Sequence, residues 1–234
     1  MIEKIRGSRN RLIGIILFCI SLIVAFGLYT TEYNIRNDNA DIEKKISTFT
    51  GDKIDAVVVR KQIVDGDLLV FYGDRKIEAI LGFTLLNKGF NGRYQIASTN
   101  YGSQMGFNID TYKFKTSKSY YMAIGGKNYN ERIKKYNMIN WDTHEITIEG
   151  KNINGSDFLH LYCLDYEYNY FRRLQALDDK GNDITKEVIV NEHESIPSSA
   201  VGKVERFMLY VYMGITILIG YLVSKPLWGK QANV

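Results

Sequence analysis

The stretch FMLYVYMGITILIGYLV, residues 207–223, contains no Asp, Glu, Lys or Arg. A second stretch of the same kind, LIGIILFCISLIVAFGLY, occupies residues 12–29 near the other end of the chain. A helix rises about 1.5 Å per residue, so each stretch reaches roughly 25 Å and, with flanking residues, crosses a bilayer. Neither stretch has the polar face expected of a core helix in a globular domain, so we interpret residues 12–30 and 206–224 as transmembrane helices.

A cleaved signal peptide is the alternative interpretation of the first stretch. Signal peptides have an apolar region of about 7–15 residues, followed by a cleavage site of small residues. Here the apolar run is longer and ends in FGLYT, residues 26–30, which offers no such site. Tyr29 and Tyr33 are instead typical of residues at a membrane interface. We therefore expect this helix to remain in the mature protein as an uncleaved signal anchor.

Positive charge is concentrated at the two ends of the 234-residue chain. Residues 1–11 carry a net charge of +3 and residues 224–234 carry +2, which leaves −1 for the segment between them. Because Lys and Arg are retained on the cytoplasmic side, both termini (1–11 and 225–234) are predicted to be cytoplasmic and residues 30–206 to lie outside the plasma membrane. The basic ends then indicate contact with anionic lipid, and no nucleic-acid partner is expected.

Cysteine usage and composition describe an ordered external segment without disulfides. Apolar residues make up 45% of the chain and charged residues 24%, which is typical of folded proteins. The two cysteines are Cys19, in the first span, and Cys163, in the external segment. No disulfide framework is therefore expected, and Cys163 is interpreted as a small, buried, apolar residue.

The external segment begins with a predicted stalk helix within residues 31–53, because Ile42, Ile46 and Phe49 recur at helical spacing. From residue 54 the pattern changes to short apolar runs separated by turns. Asp65-Gly66 is a strong signal for a tight hairpin. NKGFNG, residues 87–92, supplies the glycines of a second turn. These signals predict a meander of antiparallel strands over residues 54–98.

The second half of the external segment also consists of short apolar runs separated by turns. Residues 128–139, NYNERIKKYNMI, are predicted to form a short helix, since Ile133 and Tyr136 would share one face with Tyr129. Four stretches are strand candidates, and DDKGN (178–182) forms the predicted hairpin between the last two. They are YYMAIGG (120–126), HEITIEG (144–150), FLHLYCLDYEYNYFRRLQALD (158–178) and DITKEVIV (183–190).

The predicted fold class is α+β, mainly β, with an antiparallel-sheet domain over residues 54–190 between two transmembrane helices. The alternative is two small β subdomains that divide near residues 101–108. Residues 191–205 are interpreted as a polar linker into the second transmembrane helix.

Two blocks of the domain resemble a known group of proteins. They are VDGDLLVFYGDRKIEAILGFTLLNKGFNGRYQI, residues 64–96, and AIGGKNYNERIKKY, residues 123–136, which is followed by FLHLYCLDYEYNYFRRLQALDDKGNDI, residues 158–184. Over residues 54–190 the chain is similar to small, uncharacterised extracytoplasmic β-rich proteins of Gram-positive bacteria, in which a VFY strand leads to an LG strand and a KGxxGxY/W turn. The resemblance implies a β-rich fold outside the membrane and no particular activity. This chain departs from the group, whose members usually have a single anchor, in having a second span.

Motifs that carry chemistry are scarce. The sequence has no GxSxG, no phosphate-binding P-loop and no HExxH. His160 and Cys163 have a spacing seen in metal sites, but on a strand they point to opposite faces. We therefore expect no cofactor and no metal, and we predict that the protein is not an enzyme.

Aromatic residues supply the candidate binding surface. In one predicted strand, four tyrosines share the even phase, at positions 162, 166, 168 and 170, while Asp165, Glu167 and Asn169 occupy odd positions. The aromatic face is either the core face of a half-buried sheet or a recognition surface for glycans or partner proteins. A basic run is either a solvated helix face or a site for an anionic cell-wall polymer or a lipid headgroup surface. The candidate residues are Tyr162, Tyr166, Tyr168, Tyr170, Arg132, Lys134 and Lys135.

These observations predict a double-anchored envelope protein that presents an external β domain for binding, as a sensor, an immunity-type module or an accessory subunit of a membrane complex. The expected partners are the lipid bilayer and another membrane or envelope protein. One alternative is a small subunit of a transporter or secretion complex that acts through its helices. The other is an enzyme that modifies cell-envelope polymers, with Asp165 or Glu167 as the acid or base.

Overall fold

The computed structural model describes residues 2–78, 80–102, 109–128, 131–140, 143–164, 172–188 and 203–228. These residues form three α-helices and ten β-strands, and every strand pairing in the three sheets that is described here is antiparallel. The predicted α+β, mainly β, class is therefore confirmed. The chain divides into a helical unit (Met1–Asn34, Gly89–Gln95, Val201–Val234) and a β unit (Ile35–Lys88, Ile96–Ala200).

The helical unit contains α1 (Ile2–Glu32) and α3 (Lys203–Trp228). Within them, Ser8–Glu32 and Phe207–Trp228 are long and apolar enough to cross a membrane, and most of their surface is exposed. The two helices pack against each other through small residues. A side chain at Gly220 would overlap Ser21, and a Cβ at Gly14 would lie 2.6 Å from Trp228 Nε1. The earlier residue of α1, Gly14, faces the later residue of α3, Trp228, while Ser21 faces Gly220. The two helices therefore form an antiparallel pair.

The first sheet is the predicted meander, with strand order β1-β2-β3-β4. Its strands are β1 (Ala56–Val64), β2 (Asp67–Asp74), β3 (Leu81–Lys88) and β4 (Tyr94–Tyr101). Val64 pairs with Asp67, so only Asp65 and Gly66 form the turn. Their φ angles of 53° and 96° match the left-handed backbone that a two-residue hairpin needs, which confirms the prediction made from this dipeptide.

The predicted short helix before the sheet is α2 (Asn39–Phe49). The Asp38 carboxylate accepts the Asp41 N–H at 2.9 Å and caps the helix N-terminus. Ile42 and Ile46 are fully buried. Since β1 lies at the edge of its sheet, α2 covers an edge strand rather than forming an isolated stalk.

Six further strands form two three-stranded sheets with orders β5-β6-β9 and β10-β7-β8. The first contains β5 (Ile109–Lys115), β6 (Tyr120–Lys127) and β9 (Asp157–Leu164). The second contains β7 (Lys135–Asn140), β8 (Ile146–Asn152) and β10 (Arg172–Leu177).

The β5-β6-β9 sheet is the middle layer of the β unit, because residues on both of its faces join apolar clusters. Met122 and Ile124 of β6 belong to the cluster that includes Tyr136 and Leu174 of the β10-β7-β8 sheet. Ala123, between them in sequence, belongs to the cluster of the β1-β2-β3-β4 sheet. The period of two in β6 therefore places apolar residues on both faces, as expected of a strand buried on both sides.

Three expectations about the second half are wrong. Residues 135–140 form strand β7 rather than part of a helix, because Tyr136 and Met138 alternate toward the middle sheet. The stretch 158–178 contains two strands, β9 and β10, that belong to different sheets. Cys163 is exposed rather than buried, since it lies near the end of β9.

The last predicted strand, residues 183–190, is also wrong over its described part, residues 183–188. The DDKGN turn forms as expected, but only Asp183 makes a β-bridge, to Leu177. The Thr185 hydroxyl then accepts the Ala176 N–H at 2.9 Å, and the Val188 N–H bonds to the Ile184 carbonyl. The Thr185 side chain and a local turn thus provide hydrogen-bond partners for backbone N–H groups that would otherwise pair between strands.

Candidate binding cleft and the Tyr136 network

Tyr162 is the one tyrosine of the predicted aromatic face that lies within the described residues. It is half-buried in β9 and packs against the cluster between the middle sheet and the β10-β7-β8 sheet. The Lys151 ammonium lies 5.3 Å from the centre of its ring. Tyr166, Tyr168 and Tyr170 lie outside the described residues, as do Asp165 and Glu167.

Tyr136 is the centre of a hydrogen-bond network that Tyr162 joins. The Tyr136 hydroxyl lies 2.6 Å from the Tyr162 hydroxyl and 2.9 Å from Nδ1 of His160. The Lys151 N–H donates to the Tyr162 oxygen at 3.3 Å. Strand pairing produces this arrangement, because β9 presents His160 and Tyr162 on the same face, toward β7.

Protonation of the network follows from its surroundings. Burial and the nearby Lys151 ammonium lower the pKa of His160, so the imidazole is neutral at neutral pH. Burial raises the pKa of the Tyr136 phenol, which keeps its proton. The consistent direction of donation is then from Lys151 N–H to Tyr162, from Tyr162 to Tyr136, and from Tyr136 to Nδ1 of His160. The imidazole proton is left on Nε2.

His160 also lines a polar surface cleft of about 390 Å³. Its ring is held by Tyr136 at Nδ1, so Nε2–H is the edge that a ligand could use. Arg60 is tied to Asp157 by an ion pair, while Lys61 is exposed. The polar side chains that line the cleft come from β1, β8, β9 and the loop that joins β8 to β9. They are Arg60, Lys61, Gln62, Asn152, Asn154, Asp157 and His160.

A second cleft, of about 410 Å³, includes two residues of the predicted basic run. Lys134 and Lys135 line it together with Asp178 and Asp179, and Lys135 Nζ lies 2.5 Å from Glu149. Arg132 does not line this cleft and forms an ion pair with Glu187. The basic run is therefore partly neutralised by carboxylates.

The two clefts share Asn152 and Asn154. The structure thus brings Lys134 and Lys135 close to the cleft that His160 lines. Tyr162 contacts the hydroxyl of Tyr136, which in turn contacts the His160 ring. Sequence reasoning missed Lys61, Gln62 and the two asparagines as possible ligand contacts. These residues are far apart in the chain, and no local pattern signals that β1 and β9 meet.

The arrangement offers amide and imidazole groups for hydrogen bonds, together with the exposed Lys61 ammonium, which donates to the Asn37 carbonyl at 3.4 Å. Within the described ranges, no group of three or more His, Cys, Asp or Glu residues could hold a metal ion. His160 and Cys163 lie on opposite faces of β9, as predicted from their spacing. Amide, imidazole and ammonium groups around an open cleft are suited to a polar or anionic ligand.

Comparison with family models, with curated proteins and with solved structures finds no match to this chain. The resemblance over residues 54–190 to extracytoplasmic proteins of Gram-positive bacteria therefore stays a prediction.

Proposed function

We propose that this protein is a double-anchored envelope protein that holds a β domain outside the plasma membrane for binding. The observation that carries the proposal is the exposed apolar surface of α1 and α3, at the two ends of the chain. Large apolar side chains are exposed along both helices, among them Leu12, Ile23, Leu218 and Ile219. A lipid environment covers such a surface without a further protein.

The proposed orientation has both termini in the cytoplasm and residues 30–206 outside. It is supported by the charges of +3 before the first span and +2 after the second. An antiparallel helix pair is compatible with this topology, since it returns the chain to the side from which it started.

The proposed binding site is the cleft that Lys61, Gln62, Asn152, Asn154 and His160 line. The Tyr136 network fixes the His160 ring and leaves its Nε2–H as a donor. The ligand class that suits these groups is a polar or anionic component of the envelope, either a polymer or the surface of a partner protein. The role would be that of a sensor, an immunity-type module or an accessory subunit.

Site-specific photocrosslinking in intact cells tests the binding site. A photoreactive amino acid replaces exposed Lys61 in the cleft, and the matched control replaces Lys118, whose side chain is 72% exposed and lies outside the cleft. We expect an adduct with an envelope component at position 61 and not at position 118. Identical adducts at the two positions, or none at either, would contradict the proposal.

Two further measurements, crosslinking from α3 and an assay on envelope polymer, separate the alternative functions. A transporter or secretion subunit acting through its helices would crosslink to a membrane protein from Ile219, which is exposed on α3, and not from the cleft. An envelope-modifying enzyme would shorten or alter purified envelope polymer when the full-length protein is added.

A further inference from the structure

The turn between β3 and β4 contains an unusually exposed aromatic residue. Phe90 is 72% exposed, more than any other large apolar side chain among the described residues. The turn belongs to the helical unit, together with α1 and α3. Its surroundings are therefore those of the proposed membrane anchor.

Aromatic stacking joins this turn to α1. The Phe90 ring lies 3.9 Å from the Tyr29 ring, with 19° between the ring planes. Tyr29 in turn stacks on Tyr33 at 4.5 Å. On the other side, the Phe90 ring is 6.0 Å from Phe26, which is itself 51% exposed on the apolar span.

Hydrogen bonds fix the turn in this position. The Phe90 N–H donates to the Tyr29 hydroxyl at 2.9 Å, and the Asn91 amide donates to the Tyr33 carbonyl at 2.9 Å. Gln95 adds a bond to the Glu32 carboxylate at 3.3 Å. Gly89 permits the close approach, because a Cβ there would lie 2.6 Å from the Tyr33 ring.

The depth of Phe90 follows from the helix that it contacts. Phe26 belongs to the uncharged span, and Glu32 is the first acidic residue after it. At about 1.5 Å per residue these positions differ by roughly 9 Å along α1. Phe90 lies beside Phe26 and Tyr29, and so at the level where tyrosines mark the boundary between hydrocarbon and water.

We propose that the β3–β4 turn is a third membrane contact, in which the Phe90 side chain inserts into the interfacial region of the lipid bilayer. The inference rests on the proposed function, because it requires α1 to span the membrane. Lipid is the occupant that the contacts favour, since the exposed faces of Phe26 and Phe90 form one continuous apolar surface with the span. Exposed Arg93, at the end of the turn, is suited to contact lipid phosphates.

Fluorescent labels on single cysteines test this contact in the full-length chain. In a Cys19→Ser, Cys163→Ser background, an NBD label is attached at Phe90→Cys, at Phe26→Cys and at Lys118→Cys as the aqueous reference. The proteins are reconstituted in vesicles of phosphatidylethanolamine and phosphatidylglycerol that contain spin-labelled lipid. We expect the label at position 90 to be quenched by shallow spin labels and to resist aqueous iodide several-fold better than the label at position 118.

The label at position 26 separates the two levels of the proposal. If it is quenched by lipid while the label at position 90 is as open to iodide as that at position 118, the turn is not a membrane contact and the inference is wrong. If the label at position 26 is itself not quenched by lipid, the proposed anchoring fails. Phe90→Trp, which keeps an aromatic ring, gives a second measurement, because brominated lipid should quench the added fluorescence. The absence of that quenching would also overturn the inference.

Discussion

Tyr136 is fully buried, and its hydroxyl serves both His160 and Tyr162. Tyr136→Phe keeps the ring but removes the hydroxyl that the half-buried Nδ1 of His160 and the half-buried Tyr162 hydroxyl contact. A loss of about 1–3 kcal/mol in the free energy of unfolding is expected. Tyr120→Phe is the matched control, because the Tyr120 hydroxyl contacts only the exposed Lys115 ammonium among the described residues. Denaturant titration of both variants measures the difference, and equal stability of the two would contradict the role of the network.

The same substitution changes the titration of His160. Tyr136 donates to Nδ1 of the neutral imidazole, which adds to the effect of burial in disfavouring the protonated form. Its loss should move the pKa of His160 upward, toward the ordinary value for histidine, as measured by NMR of the imidazole protons.

Asp110 is a buried carboxyl group whose protonation affects stability. Its Oδ1 accepts the Thr111 N–H at 2.8 Å, while its Oδ2 has no hydrogen-bond partner in the described part of the chain. Burial raises the pKa of Asp110 from 3.8 to about 7. Because the folded state holds the proton more tightly than the unfolded chain, stability should fall as the pH rises from about 4 to about 7.

Asp110→Asn removes this dependence while keeping the acceptor for Thr111. The variant should match the wild type near pH 4 and exceed its free energy of unfolding by on the order of 4 kcal/mol above pH 7, at about 1.4 kcal/mol per pKa unit. Denaturant titrations at pH 4.5, 6 and 8 measure the difference between the two proteins. A constant difference across this range would show that Asp110 keeps an ordinary pKa.

At the scale of elements, side chains of α2 accept hydrogen bonds from backbone N–H groups of β1, the edge strand of the first sheet. The Glu43 carboxylate accepts the Val58 N–H at 2.9 Å, and the Ser47 hydroxyl accepts the Ala56 N–H at 3.0 Å. Glu43→Ala with Ser47→Ala should raise amide hydrogen exchange at positions 56 and 58 and destabilise the β unit by about 2 kcal/mol. Lys44→Ala, at an exposed position of the same helix, should leave both unchanged. Unaltered exchange in the double variant would contradict the edge-covering role.

The contact between α1 and α3 is tested by two glycines of α3. A side chain at Gly220 would overlap Ser21, whereas a Cβ at Gly214 would point into open space. Gly220→Ile should therefore lower the thermal stability of the purified protein in detergent, by about 1–3 kcal/mol if the helices cannot repack. Gly214→Ile carries the same side chain on the same helix and should have little effect. Equal melting temperatures for the two variants would argue against the helix pair.

Elements whose signal is local could be predicted from the sequence. The Asp65-Gly66 turn requires a left-handed backbone, and two long uncharged stretches can satisfy their backbone groups in lipid only as helices. The prediction of a helix at residues 128–139 was wrong. It relied on the spacing of Ile133 and Tyr136, which are both buried, although only Tyr136 belongs to a strand. Spacing alone could not distinguish these two reasons for burial.

The cleft could not be predicted, because it depends on which strands become neighbours. β5 was not anticipated, although it completes the middle sheet, since its alternation of Tyr112 and Phe114 with Lys113 and Lys115 is short. Without knowledge of that sheet, the sequence does not show which strands pack against the two faces of β9. The hydroxyl contact between Tyr136 and Tyr162 joins residues 26 positions apart and follows from the packing of two sheets.

At the scale of the whole molecule, the two cysteines permit a direct measurement of topology. Cys163 is exposed in the β unit, and Cys19 lies within the first apolar span. A membrane-impermeant maleimide should therefore label the native chain in intact cells at Cys163 alone, and Cys163→Ser should abolish the labelling. In that variant, a cysteine introduced by Ile2→Cys reports on the N-terminus without changing its charge.

The central claim is that both ends of the chain anchor an external β domain. It is tested most directly by labelling Cys163 and the Ile2→Cys reporter with the impermeant maleimide, before and after lysis. Labelling of Cys163 in intact cells, with labelling at position 2 only after lysis, is the predicted result. Labelling at position 2 in intact cells, or of Cys163 only after lysis, would contradict the proposed topology and the binding role that depends on it.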